Sequence, residues 1–457
     1  MRTIIIGGGI VGYSLAEYLL RDKHHISLVE SDQHLCQTIS EKLDMQVING
    51  SGSSPAVLKE AGIDGADMVL AVTPSNEVNI VACSIAAQHG VKQRIARLRG
   101  EEYGMTGLIE LDKVGITSVI HPERVLVDQV LQYVETPHSV QSANFEGGKM
   151  LMRGYRVTES MPLANKTPRE IREQITPDTV LFSAIVRRGV GMIPDGNTRI
   201  EPGDRLYTLF PRNSLDRFLG LVGLEKKASR KIIITGDTYA TLELGLAFDE
   251  LDAYQVTFVD PSLNHAEQAA AMFKNIEVLH GDCTGDDLLR ELNVDRASFF
   301  IAVSDSPDYN MLSALLAKAE GAHEVIATTT DMRHDRLYKS IGVDHVINPR
   351  LTTAREILQI ISRGHIGAVV RLSDVDIQAV RFNVDADSDV AGTKVRKIAT
   401  KLKRGSIIGV IVREDKMILP DGETVIEADD HVIVITHQRN VPTLSKLFKP
   451  HRFFKRG

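Results

Sequence analysis

The chain opens on a short apolar run, Thr3-Ile4-Ile5-Ile6, which gives way to Gly7-Gly8-Gly9-Ile10-Val11-Gly12 and then to apolar residues at helical spacing, Leu15, Leu19 and Leu20. β-branched residues, then glycines, then a helical period predict a strand, a tight turn and a helix. The alternation continues with a strand at Ile26-Ser27-Leu28-Val29-Glu30, a helix marked by Ile39 and Leu43, a strand at Gln46-Val47-Ile48 and a helix around Val57-Leu58. A strand from Met68 to Val72, a helix from Asn76 to His89 and a strand from Arg94 to Leu98 follow. A last β-α step runs from Gly115 to Val119, before His121-Pro122-Glu123 and a helix near Val125 to Tyr133. Strands alternating with helices at this spacing predict a parallel sheet covered on both faces.

Beyond that helix the texture changes. Gly154-Tyr155-Arg156-Val157, Val180 to Val186 and Arg205 to Leu209 read as strands joined by Pro, Asp and Gly turns, with one helix from Pro168 to Gln174, which predicts a small β-rich lobe. The whole plan then recurs. Pro194-Asp195-Gly196-Asn197-Thr198-Arg199-Ile200-Glu201 returns as Pro420-Asp421-Gly422-Glu423-Thr424-Val425-Ile426-Glu427. Ala71-Val72-Thr73 with Asn79 returns as Ala302-Val303-Ser304 with Asn310, and Glu30 returns as Asp260. An offset of roughly 230 residues marks a repeated unit one or two domains long. The predicted fold class is α/β in two tandem modules, each a Rossmann-like doubly wound parallel-sheet lobe followed by a small β-rich α+β lobe. The lobes fall at 1–123, 143–227, 231–348 and 367–453, and the polar stretch Glu225 to Arg230 reads as the linker between modules.

Composition narrows the function classes. With 457 residues, 43% hydrophobic and 25% charged, the chain has enough apolar surface for several cores. A net charge of -7 argues against nucleic acid as the main partner, since phosphate neutralisation needs a concentrated basic face. No apolar run approaches the ~18–20 residues that cross a bilayer, and no signal-peptide pattern opens the chain, so a cytoplasmic protein is expected. Cys36, Cys83 and Cys283 are scattered, without zinc or redox spacing, and read as small buried apolar residues. The basic, aromatic tail from Lys446 to Arg456 is either a contact for a membrane surface or membrane partner, or a frayed solubilising end.

The candidate chemistry lies at the strand ends of the first lobe. In the loop Gly7, Gly8, Gly9, Ile10, Val11 and Gly12, the first glycine permits the turn, the second lets backbone approach a diphosphate and the third lets helix pack on strand. Glu30, at the end of the second strand, is placed to accept hydrogen bonds from ribose hydroxyls and to repel a 2′-phosphate, which fits NAD better than NADP and leaves an adenosine phosphate open. Gly50 and Ser51 follow the third strand, Thr73 and Pro74 the fourth, and Arg97 ends the fifth, where a guanidinium reaches phosphate oxygens. In the second copy Thr235-Gly236-Asp237-Thr238-Tyr239-Ala240 stands in place of the glycines and Thr328-Thr329-Thr330 in place of Arg97. Gly236, Asp260 and Asp282 remain as a degenerate second site. No Tyr-x-x-x-Lys pair, His-Glu-x-x-His, metal-ligand spacing or Walker loop is present, so no catalytic residue and no metal ligand is assigned.

Ile6-Gly7-Gly8-Gly9-Ile10-Val11-Gly12, Val29-Glu30, Ala71-Val72-Thr73 with Glu77 and Asn79, and the paired Pro-Asp-Gly turns resemble the TrkA family of tandem regulator-of-potassium-conductance (RCK/KTN) proteins, over nearly the whole chain. The resemblance implies a non-enzymatic regulatory subunit, usually a homotetrameric ring. It implies docking on the cytoplasmic face of the inner membrane, against an integral-membrane, TrkH-like potassium-conducting subunit. It also implies control by nucleotide exchange, NADH against NAD or ATP against ADP. On that resemblance Gly7, Gly9 and Gly12 hold phosphates, Glu30 the ribose, Thr73 and its neighbours the adenosine side, and Arg97 the phosphates. The second glycine loop departs from the family pattern. An NAD-dependent two-domain oxidoreductase is the alternative reading, and a soluble NAD-sensing repressor is disfavoured because no basic recognition helix is visible.

Overall fold

The computed structural model describes residues 1–21, 23–100, 103, 110–174, 180–224, 230–330, 335–361, 366–372, 375–402, 405–414 and 416–449. The first α/β lobe runs β1 (Arg2–Ile6), α1 (Ile10–Arg21), β2 (His25–Glu30), α2 (Gln33–Lys42), β3 (Gln46–Asn49), α3 (Pro55–Glu60), β4 (Met68–Ala71), α4 (Asn76–Gln88), β5 (Gln93–Arg97), β6 (Ser118–Ile120) and α5 (Pro122–Glu135). The first β-rich lobe adds β7 (Ser139–Phe145), β8 (Met150–Arg156), α6 (Pro168–Gln174), β9 (Leu181–Arg187), β10 (Val190–Met192), β11 (Arg205–Pro211) and α7 (Leu215–Leu221). The second α/β lobe contains β12 (Arg230–Thr235), α8 (Tyr239–Asp249), β13 (Tyr254–Asp260), α9 (Leu263–Met272), β14 (Glu277–His280), α10 (Asp286–Glu291), β15 (Phe299–Ala302), α11 (Pro307–Ala319), β16 (Glu324–Thr328), α12 (Asp335–Ser340), β17 (His345–Ile347) and α13 (Pro349–Ile361). The last lobe contains β18 (Ile366–Arg371), β19 (Ile377–Asn383), β20 (Thr393–Lys394), α14 (Val395–Lys401), β21 (Ser406–Arg413), β22 (Lys416–Ile418), β23 (Val425–Ile426), β24 (His431–His437) and α15 (Val441–Phe448).

Contacts divide the chain into two compact units, one holding both α/β lobes and the other both β-rich lobes, with the divisions after residues 131, 227 and 358. In the first unit each lobe has a six-stranded parallel sheet, in the orders β3-β2-β1-β4-β5-β6 and β14-β13-β12-β15-β16-β17. The central strands are buried on both faces, which is why Ile4-Ile5-Ile6 and Ile232-Ile233-Ile234 are unbroken apolar runs rather than alternating ones. Helix starts are fixed by side chains the sequence places there. Asp32 accepts from His34 N and Leu35 N, and Ser54, Ser75 and Ser306 each accept from the backbone three residues on. Because the order reverses between β1 and β4, the loops that leave these two strands lie side by side and open a crevice.

In the second unit the two antiparallel sheets share one order, β10-β9-β11-β8-β7 and β18-β19-β24-β21-β22. One hydrophobic cluster draws on both, with Phe145, Met150, Met152 and Leu209 meeting Ile377, Val410, Ile433 and Ile435. The repeated Pro-Asp-Gly segments are structural. Asp195 accepts from Thr198 Oγ1 at 2.8 Å, as Asp421 does from Thr424 Oγ1 at 2.8 Å. Each turn leads toward a buried aspartate gripped in two-pronged fashion, Asp204 by Arg187 and Asp430 by Arg413.

Two expectations need correction, and one strand was not foreseen. Arg230 belongs to β12 and is buried, so the linker reading holds no further than the stretch before it, of which 225–229 lie outside the described residues. The segment Ser139–Phe145, to which the sequence reading assigned no element, is an edge strand beside β8. The start of the tail is not a free basic end. Leu444 and Phe448 of α15 are buried, and Phe448 stacks on Phe382 with ring centroids 4.4 Å apart, while 450–457 lie outside the described residues. The three cysteines are buried and free, as expected.

Candidate functional site

The crevice of the first lobe is built from the glycine loop upward. Gly7 has φ +105, open to glycine at little cost, and Gly12 is needed for a different reason, close approach: a Cβ there would lie 1.8 Å from the Gly7 carbonyl oxygen. A Cβ on Gly9 would meet no atom within 4 Å, so this position faces open space above the loop. The turn therefore delivers the N-terminus of α1, a twelve-residue helix, to the crevice, where its unpaired N–H groups and partial positive charge suit an anion. The residue at its N-cap position is Gly9, which has no side chain to cap it.

Glu30, at the end of β2, is held in place by three donors. Oε2 accepts from Gly8 N at 2.6 Å, and Oε1 accepts from Asp32 N at 2.9 Å and from Ser31 Oγ at 3.1 Å. Gly8 thus tethers the carboxylate rather than offering its N–H to a phosphate. Gly50 N donates to Glu30 O at 2.8 Å and Gly50 packs against Val57, while Ser51 is exposed and bonds Ser53. Ile10 is partly exposed at the start of α1 and Val11 is buried beneath it. Thr73 and Pro74 follow β4, and Thr73 N lies 3.1 Å from where a Cβ on Gly7 would be.

Asn79 explains why Thr73 stands there. It is fully buried, accepts from Thr73 N and Oγ1 at 3.0 and 2.7 Å, and donates to Thr73 O and Arg97 O at 3.0 and 2.7 Å. The side chain stitches the exits of β4 and β5 together, and Asn310 does the same for Ser304 and Thr328 in the second lobe. The recurrence of this pair is thus a requirement of the fold. Thr73 spends its hydroxyl and its backbone N–H on Asn79, and its carbonyl accepts from Asn79 and Arg97, which leaves its methyl to face a ligand.

Arg97 is the cation of the crevice. Its Nη1 donates to Thr73 O at 3.3 Å, and its buried Nε has no hydrogen-bond partner among the described residues. Burial lowers its pKa, Arg99 and Arg350 push the same way, and Glu123 opposes them. Glu123 is 5% exposed and accepts from Arg99 Nε at 2.8 Å. Burial also lowers the pKa of the neighbouring His121. A loop that only a side-chain-free residue can close, an uncapped helix start, a ribose-type carboxylate and a guanidinium with an orphaned donor fit a nucleotide diphosphate.

The second lobe closes the equivalent crevice on itself. Gly236 has φ +144, and a Cβ there would lie 1.8 Å from Val303 O. Thr241, which stands where Gly12 stands in the first lobe, donates to Val303 O at 2.7 Å and joins Thr238 in a reciprocal cap on α8. The N-terminus that is bare in α1 is satisfied here. Asp260 is fully buried, accepts from Ser262 N at 2.7 Å and pairs with His265 Nδ1. Asp282 is occupied by its own turn with Thr284. In place of Arg97 stands Thr328, 4% exposed and bonded to Asn310. Of the three second-site residues, then, Asp260 is buried and engaged and Gly236 is closed against Val303, while Asp282 is exposed with only its Oδ1 engaged. Sequence reading missed Thr241 and His265 because it placed Ala240, one residue early, at the third glycine.

The family model of the TrkA-N domain matches residues 3–122 and 232–349, and that of the TrkA-C domain matches 152–223 and 379–449. The Trk system potassium uptake protein TrkA of Azorhizobium caulinodans is 30% identical over 98% of this chain and 99% of its own length. The TrkA of Haemophilus influenzae is 29% identical over 99% of this chain and all of its own, 100%. Among solved structures, the GsuK RCK domain superposes with a TM-score of 0.60 at 18% identity, covering 98% of this chain and 94% of that one. The GsuK channel bound to NAD superposes with a TM-score of 0.62 at 17% identity, covering 98% and 78%. The structural likeness establishes the fold. With the family models matched twice over and full-length relatives at this identity, the chain belongs to the TrkA family of Trk-system potassium uptake proteins.

Proposed function

We propose that this chain is a nucleotide-binding regulatory subunit, without catalytic activity of its own, that controls a potassium-conducting, TrkH-like membrane protein from the cytoplasmic face as a homotetrameric ring. The observation that carries the reading is the contrast between the two crevices: the first is open, glycine-lined and cationic, the second internally satisfied. Gly7, Gly9 and Gly12 with the start of α1 hold the diphosphate, Glu30 the ribose hydroxyls, Arg97 the outer phosphate oxygens. The ligand class is an adenine nucleotide, NAD(H) or ATP and ADP, and NAD is the ligand named on the GsuK channel structure. Among the described residues no helix is long and apolar enough to cross a membrane, consistent with conduction by a partner. The lobes at 1–123 and 231–348 serve as the ligand-sensing layer, and those at 143–227 and 367–453 as the layer that passes the change on.

A nucleotide can move such an assembly only by binding two arrangements with different affinity. The direct test is potassium flux into proteoliposomes holding a TrkH-like subunit, measured with and without this chain and with NAD, NADH, ATP or ADP. The reading predicts flux that depends on the chain and on one nucleotide of the set. Flux indifferent to the chain, or hydride transfer from NADH to a substrate by the chain alone, would overturn it. No observation favours the oxidoreductase alternative: among the described residues the carboxylate that Arg99 meets, Glu123, is buried and engaged by it.

A further inference from the structure

The helical layer of the second β-rich lobe carries a charge that its repeat partner lacks. One face of the sheet β18-β19-β24-β21-β22 gives Ile377, Val410, Ile433 and Ile435 to the cluster shared with the first β-rich lobe. The opposite face gives Val380, Phe382, Val432 and Val434 to a second cluster, closed by Val395 and Ile398 of α14 and by Leu444 and Phe448 of α15. Both helices therefore lie on the side of the sheet turned away from the first β-rich lobe, and their outer sides are cationic. Arg396, Lys397 and Lys401 of α14 are exposed, with Lys394 just before it, as are Lys446 of α15, Lys449 at its end and Arg439 before its start. Glu423 pairs with Lys394 and Arg396. From Thr393 to Gly405 the chain has six Lys or Arg and no Asp or Glu, and no acidic residue follows Asp430.

This charge works against the helix that carries it. Arg169 N donates to Gly196 O, and Arg396 N to Gly422 O, both at 3.1 Å, which aligns α6 with α14. Lys394 and Lys397 then stand where the first lobe has Thr167 and Glu170. There the Glu170 carboxylate accepts from Thr167 N at 2.7 Å and from Thr167 Oγ1 at 3.0 Å, and places an acid in the first turn of α6. In α14 no side chain caps the start, and cations in its first turn oppose the helix dipole. Residues that cost local stability in one copy, and that the other copy does without, mark a surface kept for a partner. That partner must be anionic. Past the described residues the sequence runs His451-Arg452-Phe453-Phe454-Lys455-Arg456, and cations beside aromatic residues suit the headgroup level of an anionic bilayer. A nucleic acid is disfavoured by the net charge of -7 on the whole chain. We propose that the outer sides of α14 and α15 dock directly on anionic phospholipid, so that the second β-rich lobe holds the chain at the bilayer surface without a protein partner. This extends the reading of the chain as a subunit working beneath a membrane.

The experiment is co-sedimentation of the full-length protein, with no membrane protein present, on vesicles of phosphatidylethanolamine with phosphatidylglycerol and on vesicles of phosphatidylcholine alone. The parent should bind the anionic vesicles, release as salt rises, and ignore phosphatidylcholine. Each lysine removed should weaken binding about fivefold, so a combined Lys397→Gln, Lys401→Gln, Lys446→Gln and Lys449→Gln variant should lose at least about a hundredfold. The same change in net charge made on the α/β lobes, as Lys42→Gln, Lys59→Gln, Lys92→Gln and Lys274→Gln together, should leave binding as in the parent. Lys397→Glu restores the acid that α6 keeps, so it should raise the thermal midpoint while weakening vesicle binding, a pair of shifts that a structural role would not give. No binding to the anionic vesicles, a combined variant that binds like the parent, or an equal loss in the α/β set overturns the proposal. Tighter binding to duplex DNA than to the anionic vesicles overturns it too, as does attachment only to vesicles that hold a TrkH-like subunit. That last result leaves the regulatory reading standing, which the flux measurement decides by itself.

Discussion

Gly9 and Gly12 look interchangeable in the glycine motif, and the structure predicts opposite consequences for replacing them. In Gly12→Ala the new Cβ starts 1.8 Å from Gly7 O, and contacts below 3.0 Å are essentially never seen, so α1 must retreat from β1 by at least about 1.2 Å. Val11, Leu15, Ala16 and Leu19 pack this helix on the sheet and would be displaced with it. Alanine in a helix gains about 1 kcal/mol over glycine, while forcing extra volume into a packed contact costs about 1–3 kcal/mol and more when backbone must move. The net loss of about 1–2 kcal/mol corresponds to a fall of roughly 2–8 °C in the first unfolding midpoint for a unit of this size. In Gly9→Ala the Cβ meets nothing within 4 Å, so the midpoint should hold or rise slightly as the unfolded chain loses freedom. The same methyl stands where the diphosphate is proposed to lie, so nucleotide affinity should drop at least about tenfold. Thermal scans with and without nucleotide, beside a binding titration, separate the two. A Gly12→Ala variant as stable as the parent, or a Gly9→Ala variant that binds normally, would refute the reasoning.

The remaining expectations follow from particular contacts. Glu30→Gln keeps the shape but replaces a charge-assisted acceptor with a neutral one, and should weaken nucleotide binding about tenfold, whereas Asp260→Asn should leave it unchanged; calorimetry decides. Asn79→Ala strands Thr73 N and Arg97 O inside the lobe and should cost about 3 kcal/mol, read from urea denaturation. In the β-rich unit Glu146 binds Arg381 at 2.9 Å and His431 at 2.8 Å. Burial raises the Glu146 carboxyl, but the hydrogen bond from His431 and the charge of Arg381 outweigh it and hold its pKa below the ordinary value. A lowered folded pKa gives stabilisation that is present above the unfolded value and lost as pH falls through the folded one. The denaturation midpoint of this unit should therefore fall on acidification below about pH 4, and Glu146→Gln should flatten that slope. An equal slope in the variant would exclude Glu146 as the cause.

What the sequence disclosed and what it concealed have physical reasons. β1, the glycine turn and α1 were legible because a strand buried on both faces must be apolar throughout and Gly12 must lack a Cβ. The repeat was legible because Asn79 and Asn310, and the Pro-Asp-Gly turns, do the same structural work twice. β7 escaped notice because Ser139-Val140-Gln141-Ser142-Ala143-Asn144-Phe145 is mostly polar; its pairing comes from β8 and its last residue is buried in a cluster shared with the other β-rich lobe. The closure of the second crevice could be guessed from its missing glycines, but the side chains that accomplish it, Thr241 capping α8 and His265 pairing with Asp260, act through contacts that no motif encodes.

The central claim is one working nucleotide site per chain, in the first lobe. The most direct measurement is binding stoichiometry by calorimetry on the full-length protein, for the parent, Glu30→Ala and Asp260→Ala. The account predicts one nucleotide per chain in the parent and in Asp260→Ala, and none in Glu30→Ala. Two nucleotides per chain, or binding that survives Glu30→Ala and disappears in Asp260→Ala, would contradict it.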